Sequence, residues 1–165
     1  MFTQFYVIGE KGILVFMDKR TDDRRKTDRR NNKKIGFTCS CFDLLHAGHL
    51  IMLKDAKAQC DKLIVGLQTD PSIDRKDKNK PVQTLEERRI QLEAVKYIDE
   101  IIEYETENDL HKLLFELDPH VRILGSDWKG KPFTGYSLHI PIYFHERDHD
   151  YSTSDLRKRI IEAEV

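Results

Sequence analysis

Two histidines three residues apart, His46 and His49, sit with Ala47 and Gly48 in the run Cys41-Phe42-Asp43-Leu44-Leu45-His46-Ala47-Gly48-His49. An apolar segment, Lys34 to Cys39, precedes this run, and a helix-like stretch, Leu50 to Ala58, follows it. The histidines therefore fall where a strand hands over to a helix. A helix start exposes unpaired N–H groups and the positive end of the backbone dipole, which together make a seat for phosphate. Imidazoles placed there can donate to a phosphate chain whose charge grows in a transition state. Gly48 lets the backbone come close to a ligand. A metal-binding pair is the competing reading, but no third ligand has matching spacing. Histidines that merely cap the helix are the other alternative. Phosphate binding is favoured because two further segments agree with it.

The first of these is Arg147 followed by Asp148, His149, Asp150, Tyr151, Ser152, Thr153 and Ser154. Hydroxyls at a helix start usually cap it; with an arginine just upstream they can also hold a triphosphate. The second is the polar loop 72–80, which carries Arg75, Lys76, Lys78 and Lys80. Its composition is that of a solvated loop, and its place beside the other two segments puts lysines within reach of phosphate. Arg88 and Arg89 fall in a helix, where surface pairing with Glu86 or Glu93 is the expectation.

The elements that must position these residues alternate. Strands are expected at 35–39, 62–68, 100–104, 121–124 and 140–144. Helices are expected at 48–60, from the capping box at Thr84 to about Tyr97, at 109–117, and from Ser152 to about Ile161. Apolar positions 50, 53, 56 and 60 face inward on the first helix, and Ile90, Leu92, Ala94 and Val95 on the second. This order predicts an α/β, Rossmann-like parallel five-stranded sheet flanked by helices, spanning 34–165. Ligands in such folds bind beyond the carboxyl ends of the strands, where all three segments fall, together with Asp127 and Trp128.

Residues 1–33 differ in kind. Phe5 to Ile8 and Ile13 to Phe16, around a Gly-bounded turn, read as a hairpin. Residues 18–34 hold nine basic and four acidic side chains, which reads as a solvated arm with a weaker alternative as a nucleic-acid contact. Met17 is an alternative translation start. The 165 residues carry a net charge of −1, with 39% apolar and 35% charged side chains. Nothing there drives the chain toward nucleic acid, and no apolar run approaches the ~20 residues of a membrane span. The N-terminus lacks signal-peptide features, and three cysteines give no disulfide framework. The expectation is a cytoplasmic protein with reduced thiols.

The run Phe42 to His49 resembles the H-x-G-H signature of the cytidylyltransferase branch of the nucleotidyltransferases. Arg147 to Ser154 resembles that family's second signature, an arginine and, after four residues, a hydroxyl triplet. Gly125-Ser126-Asp127-Trp128 is similar to a segment of glycerol-3-phosphate cytidylyltransferases, as is the helix from Glu86 to Glu100. The resemblance covers residues 34–160. It implies CMP transfer from CTP, with Mg²⁺ carried on its phosphates, to glycerol 3-phosphate or a similar small polyol phosphate, giving CDP-glycerol and pyrophosphate. The product would serve teichoic acid or a related polymer. By carry-over, His46, His49 and Arg147 are catalytic. These three, with Cys41, Phe42, Ala47, Gly48, Lys78, Asp127, Trp128 and residues 148–154, hold CTP, and Lys76 and Lys112 hold the acceptor phosphate. A homodimer with neither membrane nor nucleic-acid partner is implied. The alternative is an adenylyltransferase of the same superfamily acting on a sugar phosphate or FMN; a non-catalytic binding module is a further one. Two departures stand out. Ser40 replaces the usual glycine, and Leu110 lies where the family has a lysine that meets glycerol phosphate, leaving His111 or Lys112 for that task.

Overall fold

The computed structural model describes residues 33–163; the expected hairpin and most of the basic arm lie outside the described residues. Five strands form one parallel sheet: β1 (Ile35–Ser40), β2 (Lys62–Gln68), β3 (Glu100–Tyr104), β4 (Val121–Gly125) and β5 (Ile142–His145). Their spatial order is β3-β2-β1-β4-β5. Helices α1 (Ala47–Ala58), α2 (Leu85–Glu93) and α3 (Glu107–Leu117) connect successive strands, and α4 (Thr153–Ala163) follows β5. The strand order reverses beside β1, so the carboxyl ends of β1 and β4 open a crevice at the topological switch point. His46 and His49 stand at one lip of that crevice, and the Gly125–Trp128 segment at the other.

The two-residue period of β2 divides the core. Leu63, Val65 and Leu67 pack with Leu53 and Ala56 of α1, and with Leu92 at α2. Ile64, from the opposite face, packs with Phe37, Tyr104, and Leu110 and Leu114 of α3. Thus α1 and α2 cover one face and α3 the other. Six of the seven β2 residues are buried, as a near-continuous apolar run on a two-sided sheet requires.

Several local expectations change. Helix α2 ends at Glu93, with Ala94 as its C-cap, rather than near Tyr97. Ile90 is 58% exposed and Ala94 is exposed, while Arg88 faces inward one turn before the buried Leu92. Leu50 likewise faces outward on α1, whose inner side is Gly48, Leu53 and Ala56. Strand β5 starts at Ile142, since Pro141 has no N–H for a ladder; its carbonyl still accepts from Arg122 N at 2.8 Å. Helix α3 starts two residues early at Glu107, because Thr106 and Asp109 form a reciprocal capping box.

Candidate active site

The sharp path from β1 into α1 is held by residues distant in sequence. Phe42 and Leu44 adopt left-handed backbone conformations, φ 51° and 50°, which cost non-glycine residues free energy and need surrounding structure to hold them. Phe42 is buried, with its ring 5.4 Å from that of His49. The buried Asp43 carboxylate accepts from Val82 N and Gln83 N at 3.0 Å each, and from Arg157 of α4 at 2.5 Å. These donors hold its pKa below the usual carboxylate range although burial opposes them. Leu44 N donates to Gln83 Oε1 at 2.8 Å.

Arg88 closes this scaffold from below. Only 2% exposed, it donates to Cys41 O at 2.8 Å, Gln68 O at 2.7 Å and Thr69 O at 2.6 Å, while its Nε reaches Gln83 O and Thr84 O at 3.3 Å. The carboxyl ends of β1 and β2 are thereby stitched together by one guanidinium. The expected surface pairing is corrected for Arg88, because its guanidinium is spent on the backbone carbonyls of Cys41, Gln68, Thr69, Gln83 and Thr84. It holds for Arg89, which pairs with Glu93 and also with Glu103.

The two histidines are fixed in ring orientation and tautomer. His46 is the N-cap of α1, and its Nδ1 accepts from Gly48 N at 3.1 Å. His49 Nδ1 accepts from His46 N at 3.3 Å. Both protons therefore reside on Nε2. The rings stack with centroids 3.9 Å apart and planes 28° from parallel. Burial lowers the pKa of His46, aided by Arg147 and His149. Burial also pushes that of His49 down to about 3, with His46 and Arg147 adding to it. At neutral pH each ring is a neutral Nε2–H donor.

The second cluster meets the first directly. His46 Nε2 lies 3.3 Å from Thr153 Oγ1, and Thr153 Oγ1 donates to Asp43 O at 3.4 Å. The hydroxyl thus accepts from the ring and donates to the backbone. Ser152 caps α4, accepting from Asp155 N at 3.1 Å. Arg147 Nη2 donates to Tyr151 O at 3.3 Å. A Cβ on Gly48 would stand 2.9 Å from His149 Cε1 and 3.0 Å from both His46 Cε1 and Tyr151 O. The two segments therefore close together only around a glycine.

Two adjoining cavities open at this junction. The smaller, of about 300 Å³, is lined by His46, Gly48, His49, Asp127, Trp128, His145, Arg147, His149 and residues 151–154, among others. The larger, of about 750 Å³, is lined by Cys41, Gln68, Arg75, Lys78, Tyr104, Glu107, Leu110, Arg122, Phe133 and Thr134, among others. Ser40, Trp128, Arg147 and Thr153 belong to both. The side chain of Ser40 is accommodated in the shared wall.

Of the residues expected from sequence, Ala47, Asp148 and Asp150 are exposed and line neither cavity. Lys76 is exposed outside both linings, and Arg75 beside it faces the larger one. Lys112 is exposed on α3 and pairs with Asp109 at 3.6 Å, away from both cavities. Leu110 lines the larger one.

Arg122 and the pair Asp55–His145 also line or back the cavities, without a motif that marks them in the sequence. His145, 5% exposed, has Nδ1 2.7 Å from Asp55 Oδ2; Tyr143 Oη donates to the other carboxylate oxygen at 3.2 Å. An ionised Asp55 places the His145 proton on Nδ1. Nε2, on the far edge of the ring, is buried without a partner. In the tautomer with its proton on Nδ1, Nε2 is the ring atom left to accept at the smaller cavity. No sequence spacing signals this pair, which is separated by 90 residues.

A family model described as cytidylyltransferase-like matches residues 37–159. A curated relative, bifunctional protein HldE of Rhodopseudomonas palustris, is 35% identical over 76% of this chain and 26% of its own length. Another of that name, from Wolinella succinogenes, is 36% identical over 80% of this chain and 28% of its own. The chain thus spans about a quarter of these relatives. A solved lipopolysaccharide core biosynthesis protein from Thermoplasma volcanium shares the fold at TM-score 0.51 and 22% identity, covering 81% of this chain and 90% of that one. Pantothenate synthetase from Thermus thermophilus shares it at TM-score 0.51 and 13% identity, covering 76% and 64%.

Proposed function

The chain belongs to the cytidylyltransferase-like family, and from that premise we propose that it transfers a nucleotidyl group from a nucleoside triphosphate to a phosphate ester, with ATP and a sugar phosphate as the preferred pair. The observation that carries the transferase reading is the closed junction of Gly48, His46 and Thr153, which aims neutral imidazole donors and a helix start at one cleft.

The acceptor phosphate oxygen attacks the α-phosphorus, forming one P–O bond. The bond from that phosphorus to the bridging oxygen breaks, and pyrophosphate leaves with the electron pair. The attacking phosphate is already ionised, so no general base is required. The chain supplies position and charge neutralisation, as phosphoryl-type transfer demands. In this reading His46, His49 and Arg147 donate to the phosphates, and the triphosphate lies along the start of α4. The donors lining the smaller cavity are imidazole, guanidinium and hydroxyl groups suited to phosphate oxygens, and Lys78 adds an ammonium in the larger one; a divalent cation would arrive on the triphosphate, with Asp127 the carboxylate beside it. At the far end, the acceptor His145 Nε2 suits an exocyclic amino group, which adenine and cytosine both carry.

Two observations favour the adenylyl and sugar-phosphate reading over cytidylyl transfer to glycerol phosphate. The curated relatives at 35% and 36% identity carry the name HldE. The larger cavity is broad and presents apolar Leu110 where the glycerol-phosphate enzymes have a lysine. Pyrophosphate release from ATP or CTP, each with heptose 1-phosphate and glycerol 3-phosphate, tests the pairing. Release with ATP and the heptose ester supports it; release with CTP and glycerol 3-phosphate alone overturns it.

A further inference from the structure

The larger cavity contains buried donors that find no partner among the described residues. Arg122, 3% exposed in the middle of the sheet, forms no ion pair among the described residues. One of its terminal nitrogens donates to Thr134 O, the other lies 3.8 Å from Cys39 Sγ, and Nε has no partner. The guanidinium packs 5.3 Å from the Phe133 ring centroid. Gly135, at φ 82°, makes room: a Cβ there would meet Leu114 Cδ1 at 2.7 Å and Arg122 Nη1 at 3.3 Å. A buried guanidinium without a counter-charge is costly, so a site of this kind calls for an anion.

Two neighbours lining the same cavity share this property. Gln68, 1% exposed, accepts from Arg75 Nη2 through Oε1 at 3.1 Å. That contact fixes the amide orientation and leaves Nε2 as a buried donor with no partner. Arg75 Nε is also buried and unpartnered. Among the described residues that line the cavity, Arg75, Lys78, Arg122 and Arg147 face a single carboxylate, Glu107. That carboxylate is already engaged by Arg75 at 3.4 Å and by the Thr134 hydroxyl.

We propose that Arg122, Gln68 and Arg75 form the seat for the acceptor's phosphate. Their free N–H groups hold its non-reacting oxygens, and the remaining oxygen faces the smaller cavity across the shared wall at Ser40 and Thr153. Glu107 and Thr134 then stand where they meet hydroxyls of a sugar. The inference rests on the transferase reading for the identity of the acceptor, but not for the existence of the anion seat.

The test uses the full chain and measures binding by calorimetry and turnover separately. The binding probes are inorganic phosphate, glucose 1-phosphate and heptose 1-phosphate, without nucleotide. The variants are Arg122→Met, which keeps the stem, Arg122→Lys, which keeps a point charge, and Gln68→Glu, which adds a repelling one. The expected result is binding of at least one phosphate ester by the wild type. Arg122→Met and Gln68→Glu weaken it about 10- to 100-fold, as loss of charge-assisted hydrogen bonds implies, with Arg122→Lys between. In turnover, acceptor KM rises by a similar factor while nucleotide KM stays within about twofold. The seat is overturned if the wild type binds none of the probes, or if folded variants bind them as well as the wild type. It is also overturned if acceptor and nucleotide KM rise together. Phosphate-ester binding that depends on Arg122, without pyrophosphate release in any pairing, would refute the transferase reading and leave the seat standing. Should Arg122→Met not fold, Gln68→Glu and Arg122→Lys decide the matter.

Discussion

His46 and Thr153, 107 residues apart, meet at 3.3 Å between Nε2 and Oγ1, so that the helix start after β1 and the helix start after β5 share one hydrogen bond. Its direction follows from the chain of donors behind it. Gly48 N–H occupies His46 Nδ1, which leaves the proton on Nε2, and the Thr153 hydroxyl donates its own hydrogen bond to Asp43 O. A bound phosphate can take over the Nε2–H without any change in tautomer. The neighbouring His49 is held in the same way by His46 N.

Replacing His49 by alanine therefore removes a preset donor together with its stacking partner. Steady-state kinetics on the preferred substrate pair should show kcat reduced at least ~10²-fold, the loss typical of a transition-state donor. An unchanged kcat would assign the ring to capping alone.

The depressed pKa of His49 has a consequence for stability. In the unfolded chain the imidazole takes up a proton near its ordinary pKa of 6.5, whereas in the folded protein it does so only near about 3. Between these values the unfolded state binds more protons, so stability falls as pH falls from about 6.5 toward 3. Asp43, with its pKa lowered, adds to the loss as pH drops through the carboxylate range. Urea unfolding between pH 7 and 4.5 should give a steeper loss for the wild type than for His49→Asn. Parallel curves would contradict the buried, neutral ring.

Arg88 is expected to matter for folding. Arg88→Met removes the hydrogen bonds to the part-buried Cys41 O and Thr69 O and to the buried Gln68 O, at a cost of about 3 kcal/mol. Denaturant titration checks this, and a loss below about 1 kcal/mol would mean that water or rearrangement replaces the guanidinium.

What the sequence revealed and what it concealed separate along physical lines. The histidine pair, the Arg147–Ser154 segment and the alternating elements were legible because each is local: caps, glycines and apolar runs within a few residues. The inward turn of Arg88 was not legible. Its partners are backbone groups at the ends of two strands, which leave no residue-type signature, and Ile90 next to it is the better apolar candidate on composition. Arg122 was hidden for a similar reason. A charged residue in a strand reads as an edge or surface position until the Gly135 turn is seen to make room for it. In the loop 72–80 the lysines are the more numerous cations, while Arg75 is the side chain that turns toward Gln68 and Glu107.

His145 offers a test at the other end of the cleft. His145→Leu removes the buried acceptor while preserving volume. The KM for ATP should rise about 3- to 10-fold, the worth of one neutral hydrogen bond, with discrimination against GTP weakened. An unchanged nucleotide preference would place the base elsewhere.

The most direct measurement follows the label of the transferred group. ATP carrying ³²P at the α position or at the γ position is incubated with heptose 1-phosphate, and the products are separated. The expected result is α-label in a nucleoside-diphosphate sugar, γ-label only in pyrophosphate, and neither product in the His46→Ala, His49→Ala double variant. Label from the γ position on the sugar ester, or α-label transfer that persists in the double variant, would contradict it.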